Sequence, residues 1–288
     1  MLPAMAARPR IAIVGAGRLG SALALDLSRA GYVIDEIISR ESEASRKQAR
    51  SLARRLRGHA RTMRDPHFDA DLIWFCVPDR QIASAASVLA GSTDWKKKIA
   101  FHSSGALTSD ELGVLRRRGA AVAAVHPMMT FVKGSRPSLH GVPFALEGER
   151  SAVRLARQIA RSLKATSFTI RKRDKAIYHA WGAFTSPLLV AALITMEKIA
   201  QAAGLTAADA RRRMLPIVKQ TIKNYDQLGA AGAFSGPLIR GDVETICRHL
   251  RVLKPVPGAR EIYIALARAA LLYLPVAQRQ KLQRILKP

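Results

Sequence analysis

Short apolar runs alternate with amphipathic stretches through the first half of the chain. Ile11 to Val14, Val33 to Ser39, Asp71 to Val77, Lys98 to His102 and Ala120 to Val125 are the runs, and they read as strands of a buried parallel sheet. Between them, Arg18 to Ala30 sets Leu19, Leu23 and Leu27 four apart on one helical face. Ser42 to Arg57 reads as a basic helix, Ala83 to Leu89 as a short one, and about Ser109 to Arg118 as another. Val142 to Glu147, Ser151 to Leu163 and Thr166 to Ile170 add a last strand, helix and strand. This alternation predicts an α/β fold, a parallel sheet with crossover helices. After Arg171 the period changes. From Lys175 onward the pattern is helical, broken at Gly204, Gly229 to Gly236 and Lys254 to Gly258, with no convincing strand. The expected organisation is a sheet domain over residues 1–171 and an all-helical domain over 172–288.

The first strand and helix are joined by Gly15-Ala16-Gly17-Arg18-Leu19-Gly20. G-x-G-x-x-G placed between a strand and a helix marks the dinucleotide turn of a Rossmann domain. Gly15 makes the tight turn, Gly17 lets a pyrophosphate approach the backbone, and Gly20 lets helix and strand pack closely. The N–H groups and dipole of the helix then hold the phosphates. Cofactor choice is made at the tip of the second strand, where an acid would favour NAD. Here the tip is Ser39-Arg40, while Asp35 and Glu36 fall at the strand's start. A hydroxyl with a guanidinium suits a 2′-phosphate, so the expected cofactor is NADP(H). The alternative is an Arg40 that merely stacks on adenine.

Three further segments end predicted strands and so share the carboxyl edge where ligands of open α/β sheets lie. Val77-Pro78-Asp79 follows the central strand, with Asp79 read either as a ribose contact or as a helix cap. Ser103 and Ser104, in His102-Ser103-Ser104-Gly105, are read as contacts to substrate or nicotinamide, against a plain turn. His126 ends the next strand, where an imidazole with a pKa near working pH is a candidate acid and base, against a structural histidine. In the helical half, His179 of Tyr178-His179 is a second candidate. Arg240 is a candidate carboxylate anchor held by Asp242, against an Asp helix cap.

Taken together, Ile13 to Gly20, Val77-Pro78-Asp79, His102 to Gly105, His126-Pro127, Pro143 to Gly148, Tyr178-His179-Ala180 and Gly236 to Asp242 resemble the Rossmann-like family called domain of unknown function 2520. That family is distant kin of pyrroline-5-carboxylate reductase and the β-hydroxyacid dehydrogenases. The resemblance implies an N-terminal NADP(H)-binding domain, a helical domain like the C-terminal part of 6-phosphogluconate dehydrogenase, and often a dimer. It implies no particular reaction. The β-hydroxyacid dehydrogenases use a helix Lys with Asn four residues on, whereas Lys175 is followed at that spacing by His179. His126-Pro127-Met128 also resembles prephenate dehydrogenases, which continue to a glycine where this chain has Thr130.

Composition changes this picture little. The 288 residues carry a formal charge of +26, which invites a nucleic-acid reading. The basic residues instead recur along the whole chain, in Arg46 to Arg57, Arg116 to Arg118, Arg171 to Lys175 and Arg211 to Arg213, without interleaved aromatics. They read as solvated helix faces. Cys76 and Cys247 form neither a disulfide framework nor a metal-ligand set, so no metal is expected. Met1 to Arg10 lacks the apolar core of a signal peptide, and Leu188 to Met196 meets Glu197 before it could span a bilayer, so a cytoplasmic protein is expected. Leu188 to Ile194, apolar almost all round, is read as buried in a homodimer. The expected function is NADP(H)-dependent hydride transfer to or from a small carbonyl, imine or alcohol, with an anionic group as one option, held between the domains. The rival reading is an NADP(H)-binding regulatory protein without turnover.

Overall fold

The computed structural model describes residues 8–135 and 137–287. Residues Met1–Ala7, on which the signal-peptide expectation partly rests, lie outside them. The chain divides into two compact units, Met1–Ala183 and Phe184–Pro288.

The first unit opens with β1 (Ile11–Val14), α1 (Arg18–Arg29), β2 (Ile34–Ser39), α2 (Glu43–Leu56) and β3 (His59–Thr62). It continues with β4 (Leu72–Phe75), α3 (Ile82–Leu89), β5 (Ile99–His102), α4 (Gly113–Arg116) and β6 (Ala121–Pro127). It closes with β7 (Pro143–Gly148), α5 (Arg150–Ser162), β8 (Thr166–Thr169) and α6 (Lys175–Thr185). The strands form one eight-stranded sheet in the order β3-β2-β1-β4-β5-β6-β7-β8. The strands from β3 to β6 are mutually parallel, so β4, β5 and β6 present their carboxyl ends to one edge. This is the α/β sheet that the alternation predicts, with three differences, the first being the edge strand β3, which the pattern does not show. β7 runs antiparallel to β6. The helix expected over Ser109 to Arg118 is a 3-10 turn, Ser109–Leu112, followed by the single turn of α4.

Continuous apolar runs work here because both sheet faces are covered. Ile11, Ile13, Leu72 and Trp74 join Leu23 and Leu27 of α1 and Ile159 of α5 in one core. Ala12, Val14, Ile73 and Phe75 join Ile82 and Leu89 of α3 in the other. α5 shows how the charge is carried. Ala152, Val153, Ala156, Ile159 and Ala160 are buried, and Arg150, Arg154, Arg157 and Arg161 are exposed. The basic residues of this helix form its solvated face, as the pattern predicts.

The second unit is entirely helical among the described residues: α7 (Pro187–Ala202), α8 (Ala207–Ala233), α9 (Pro237–Arg240), α10 (Val243–Val252), α11 (Ala259–Tyr273) and α12 (Arg279–Ile285). Its small core is Ile246, Leu250, Ile264, Ala267, Leu271, Leu282 and Leu286. Much of its apolar surface faces outward, including Val190 (61% exposed), Ile217 (71%) and Tyr273 (81%). Within one chain, Leu188, Leu189, Val190 and Ile194 of the run expected to be buried in a homodimer are exposed. The run Lys172–Ala202 also has the length and mean hydropathy (1.4) of a bilayer-crossing helix. It is interrupted at Ser186, whose backbone (φ −132°, ψ −79°) is not helical.

Candidate active site

The glycine turn is shaped by what a side chain would meet. Gly15 has φ +104°, and a Cβ there would lie 2.6 Å from the Cys76 carbonyl oxygen, so conformation and space both demand glycine. A Cβ on Gly20 would lie 2.0 Å from the Gly15 carbonyl oxygen, so α1 can sit this close to the turn only without one. Gly17, the N-cap of α1, has nothing within 4 Å of an added Cβ. The start of this twelve-residue helix therefore faces open space, with Arg18 exposed and no acid in its first turn. That is a fitting cradle for a pyrophosphate.

At the tip of β2, Arg40 is exposed. Ser39 is buried, and its hydroxyl donates to the Arg40 carbonyl oxygen at 3.1 Å. Asp35 and Glu36 are engaged at the other end of the strand. Asp35 pairs with Arg10, and Glu36 accepts from the backbone N–H groups of His67 (3.1 Å) and Phe68 (3.4 Å). A 2′-phosphate here would meet the Arg40 guanidinium, whose chain neighbour is the exposed Glu41, while Glu43 is paired with Arg46 and Arg50.

The carboxyl edge of β4, β5 and β6 gathers a connected polar group. Ser104 Oγ donates to Asp79 Oδ2 at 2.8 Å and accepts from the N–H groups of Ala106 (3.2 Å) and Leu107 (2.9 Å). Asp79 is therefore tied to the β5 loop, and its side chain caps no helix. Ser103 turns the other way, accepting from Trp74 Nε1 at 2.8 Å, which links β5 to β4 beneath the edge. His102 Nε2 must donate to the Thr108 carbonyl oxygen (2.9 Å), so Nδ1 is the acceptor for Ser104 N–H (3.2 Å) and the tautomer is set.

His126, half-buried at the end of β6, shares a 2.6 Å hydrogen bond through Nδ1 with the Tyr178 hydroxyl of α6. Its Nε2 faces Gly105. A Cβ on Gly105 would lie 3.0 Å from His126 Nε2 and 3.1 Å from His179 Cδ2, so both rings rest over this one glycine. Lys175, only 2% exposed, donates from Nζ to the Ser104 carbonyl oxygen at 2.9 Å. Behind it, Glu147 of β7 accepts from the Ser109 N–H (2.7 Å) and hydroxyl (2.8 Å).

Burial governs the protonation of this group. Desolvation pushes His126 down to about 4, assisted by the positive charge of Lys175. His102 is likewise held at about 4, chiefly by burial. The expectation of a His126 pKa near working pH therefore gives way to a neutral imidazole. Burial lowers Lys175 to about 8 against the pull of Glu147 and Asp79, and raises the Tyr178 hydroxyl, which stays protonated. Between pH 6.5 and 4 the unfolded chain binds protons that both native imidazoles refuse, so native stability is greatest above that window and falls as pH drops through it. We expect unfolding in urea at pH 4.5 to show a loss of about 2–3 kcal/mol per imidazole relative to pH 7. An unchanged midpoint would mean that the rings are solvated.

Of the residues singled out in the sequence, Asp79, Ser104, His126 and His179 come together here. Ser103 supports the edge from below. Arg240 and Asp242 belong to the second unit, where Asp242 caps α10 by accepting from the Thr245 N–H (3.0 Å) and hydroxyl (2.7 Å). Trp74, Glu147, Lys175 and Tyr178 were not singled out as functional. The one legible signal was that Lys175 and Tyr178, three apart, share a helix face.

Residues 4–127 match the family model of a Rossmann-like domain, and residues 142–270 match that of Domain of unknown function (DUF2520). No curated protein matches. Among solved structures, the chain is similar to a candidate NADP oxidoreductase, BF3122, from Bacteroides fragilis (23% identity, 91% of this chain and 97% of that one, TM-score 0.72). It is also similar to a reductive aminase from Aspergillus terreus in complex with NADPH and ethyl-5-oxohexanoate (14% identity, 97% and 100%, TM-score 0.66). A third likeness is to a pyrroline-5-carboxylate reductase from Coxiella burnetii (14% identity, 98% and 100%, TM-score 0.59). At these identities the likeness is one of fold. The chain thus carries a Rossmann-like domain followed by a region that matches the DUF2520 family.

Proposed function

We propose that this protein is an NADP(H)-dependent oxidoreductase that moves a hydride to or from a small carbonyl, imine or alcohol at the carboxyl edge of β4, β5 and β6. The observation that carries the reading is that one edge of one unit holds both an open glycine turn and a buried proton-handling group over Gly105. Neighbours of the same fold that are named as NADP oxidoreductase or solved with NADPH support it.

Gly15, Gly17 and Gly20 with the start of α1 would hold the pyrophosphate, and Arg40 the 2′-phosphate. The bound nicotinamide supplies or takes the hydride. Neutral His126 accepts a proton from an alcohol through Nε2, while the Tyr178 hydroxyl fixes the ring through Nδ1. In the reducing direction the same imidazole, once protonated from solvent, gives that proton to the substrate oxygen or nitrogen. Lys175 holds the Ser104 carbonyl in place, and its buried charge favours an oxyanion at this edge. His179, over the same glycine, borders the substrate.

The reading is tested by following nicotinamide absorbance across a panel of 2-oxo acids, ketones, imines and alcohols. Turnover with NADPH is expected; tight NADPH binding with no turnover on any class would favour the regulatory role. Calorimetry should show Arg40→Ala weakening NADPH binding by about 1–3 kcal/mol and leaving NADH nearly unchanged. Equal losses for both would remove Arg40 from cofactor choice.

The outward apolar side chains of α7, α8 and α11 support a homodimer through the helical unit. Light scattering at micromolar concentration should give twice the chain mass, and a monomer would contradict it. Lys175 and Tyr178, within the long apolar run, pack against the sheet unit, which favours an interface helix of a cytoplasmic protein over a membrane span.

A further inference from the structure

One polar atom at the carboxyl edge is left over. Ser103 N–H donates to the Phe75 carbonyl oxygen (3.3 Å), Ser104 N–H to His102 Nδ1 (3.2 Å), and the N–H groups of Ala106 and Leu107 to Ser104 Oγ (3.2 and 2.9 Å). Among the described residues nothing accepts from the Gly105 N–H between them, although Gly105 is buried. Buried N–H groups nearly always have an acceptor, so one left open here points to an acceptor that arrives with a ligand. The same peptide is held at its other end, where the Ser104 carbonyl oxygen accepts from Lys175 Nζ at 2.9 Å. No peptide bond is cis among the described residues, and a trans peptide points its C=O and N–H in opposite directions. Gly105 N–H is therefore aimed away from Lys175. A cation on the carbonyl oxygen also draws charge along the peptide and makes the N–H a stronger donor. His126 Nε2 lies 3.0 Å from the place of a Gly105 Cβ, hence within about 6 Å of Gly105 N, a span that one oxygen bridges with two hydrogen bonds. Of the two rings over Gly105, that of His179 is exposed, so the glycine lies one movable side chain from solvent.

We propose, resting on the hydride-transfer reading above, that the Gly105 N–H is the catalytic donor to the reacting oxygen of a carbonyl or alcohol substrate, and that Lys175 is the positioning residue that aims and polarises its peptide. When a hydride reaches a carbonyl carbon, the C=O π pair moves onto oxygen. The Gly105 N–H holds that oxyanion while protonated His126 supplies the proton that completes the alcohol, and NADPH leaves as NADP+. Alcohol oxidation is the reverse. An iminium nitrogen has no lone pair for this N–H and brings a second positive charge to Lys175, so imines are the disfavoured class. Asp79 and Glu147, the acids that act on Lys175, are already engaged by Ser104 Oγ and by Ser109.

Carbon-13 at the serine carbonyl with nitrogen-15 in glycine isolates by NMR the amides of the two Ser-Gly pairs, Ser104-Gly105 and Ser235-Gly236, and Ser235→Ala removes the second to assign them. In the full-length protein, NADPH alone should leave the Gly105 amide in place. Oxamate, a stable 2-oxo acid analogue, added to the NADPH complex should move its proton downfield, with that of Gly236 unmoved. Lys175→Gln can keep a hydrogen bond to the Ser104 carbonyl without the charge. It should move the Gly105 proton upfield in the free protein and lower kcat on carbonyls by about tenfold or more, with NADPH affinity kept. Turnover with NADPH should favour 2-oxo acids and ketones over preformed cyclic imines by at least about tenfold. A Gly105 amide indifferent to oxamate, or one already shifted by NADPH alone, would overturn the proposal, as would equal or faster turnover of the imines. No turnover on any class would end the hydride-transfer reading alone, because the amide response needs none.

Discussion

Replacement of His126 by alanine should cut turnover by about 10²–10⁴ while NADPH affinity stays within a few-fold. His126 is the residue at the sheet edge whose free ring nitrogen faces Gly105, its other nitrogen being held by Tyr178 at 2.6 Å. Its pKa of about 4 makes it a neutral base at physiological pH. Oxidation of an alcohol should therefore be lost below about pH 4–5, where the ring becomes protonated, and not near pH 6.5. Tyr178→Phe removes the hydrogen bond that fixes the ring but keeps the aromatic packing with Phe168 and Trp181. It should lower turnover less than His126→Ala and shift that acidic limb. Full activity in His126→Ala, on any substrate the panel identifies, would take this imidazole out of the chemistry.

Gly20→Ala should be nearly as damaging, for a reason that is purely steric. The new methyl would lie 2.0 Å from the Gly15 carbonyl oxygen and 3.1 Å from Cys76 Cβ. The first of these is backbone and cannot rotate away, so α1 must move off the turn. We expect a loss of about 3 kcal/mol or more in urea unfolding. NADPH affinity should fall by about 10²-fold, because the helix start no longer faces the phosphates. A variant as stable as the parent and binding NADPH normally would show that the turn is looser than its geometry states. Gly17→Ala, with open space around it, is the matched control for stability.

The sheet was legible because its strands are buried on both faces. Ile11–Val14 and Leu72–Phe75 can hardly be read otherwise. β3 was missed because His59-Ala60-Arg61-Thr62 is a half-exposed edge strand with no apolar alternation. Among the described residues its one strand partner is β2, through the parallel register of Glu36 with His59. The antiparallel turn of β7 was equally hidden, since strand direction is decided by where the connecting loop lands and not by the residues of the strand. In the site, the glycine turn and the three edge segments followed from local spacing and strand direction. What the chain order could not reveal was how distant groups are paired. Ser103 binds Trp74, Glu147 binds Ser109, and Lys175 reaches the Ser104 carbonyl, 71 residues away. The low pKa of His126 has the same origin, because desolvation belongs to the packed structure and not to the residue.

The central claim is tested most directly by a crystal structure of the protein with NADPH. The account predicts the pyrophosphate over Gly15, Gly17 and Gly20, the 2′-phosphate within hydrogen-bonding reach of Arg40, and the nicotinamide ring at the Gly105 edge facing His126. A nicotinamide turned away from His126, Tyr178 and Lys175, or a cofactor bound anywhere but the glycine turn, would contradict it.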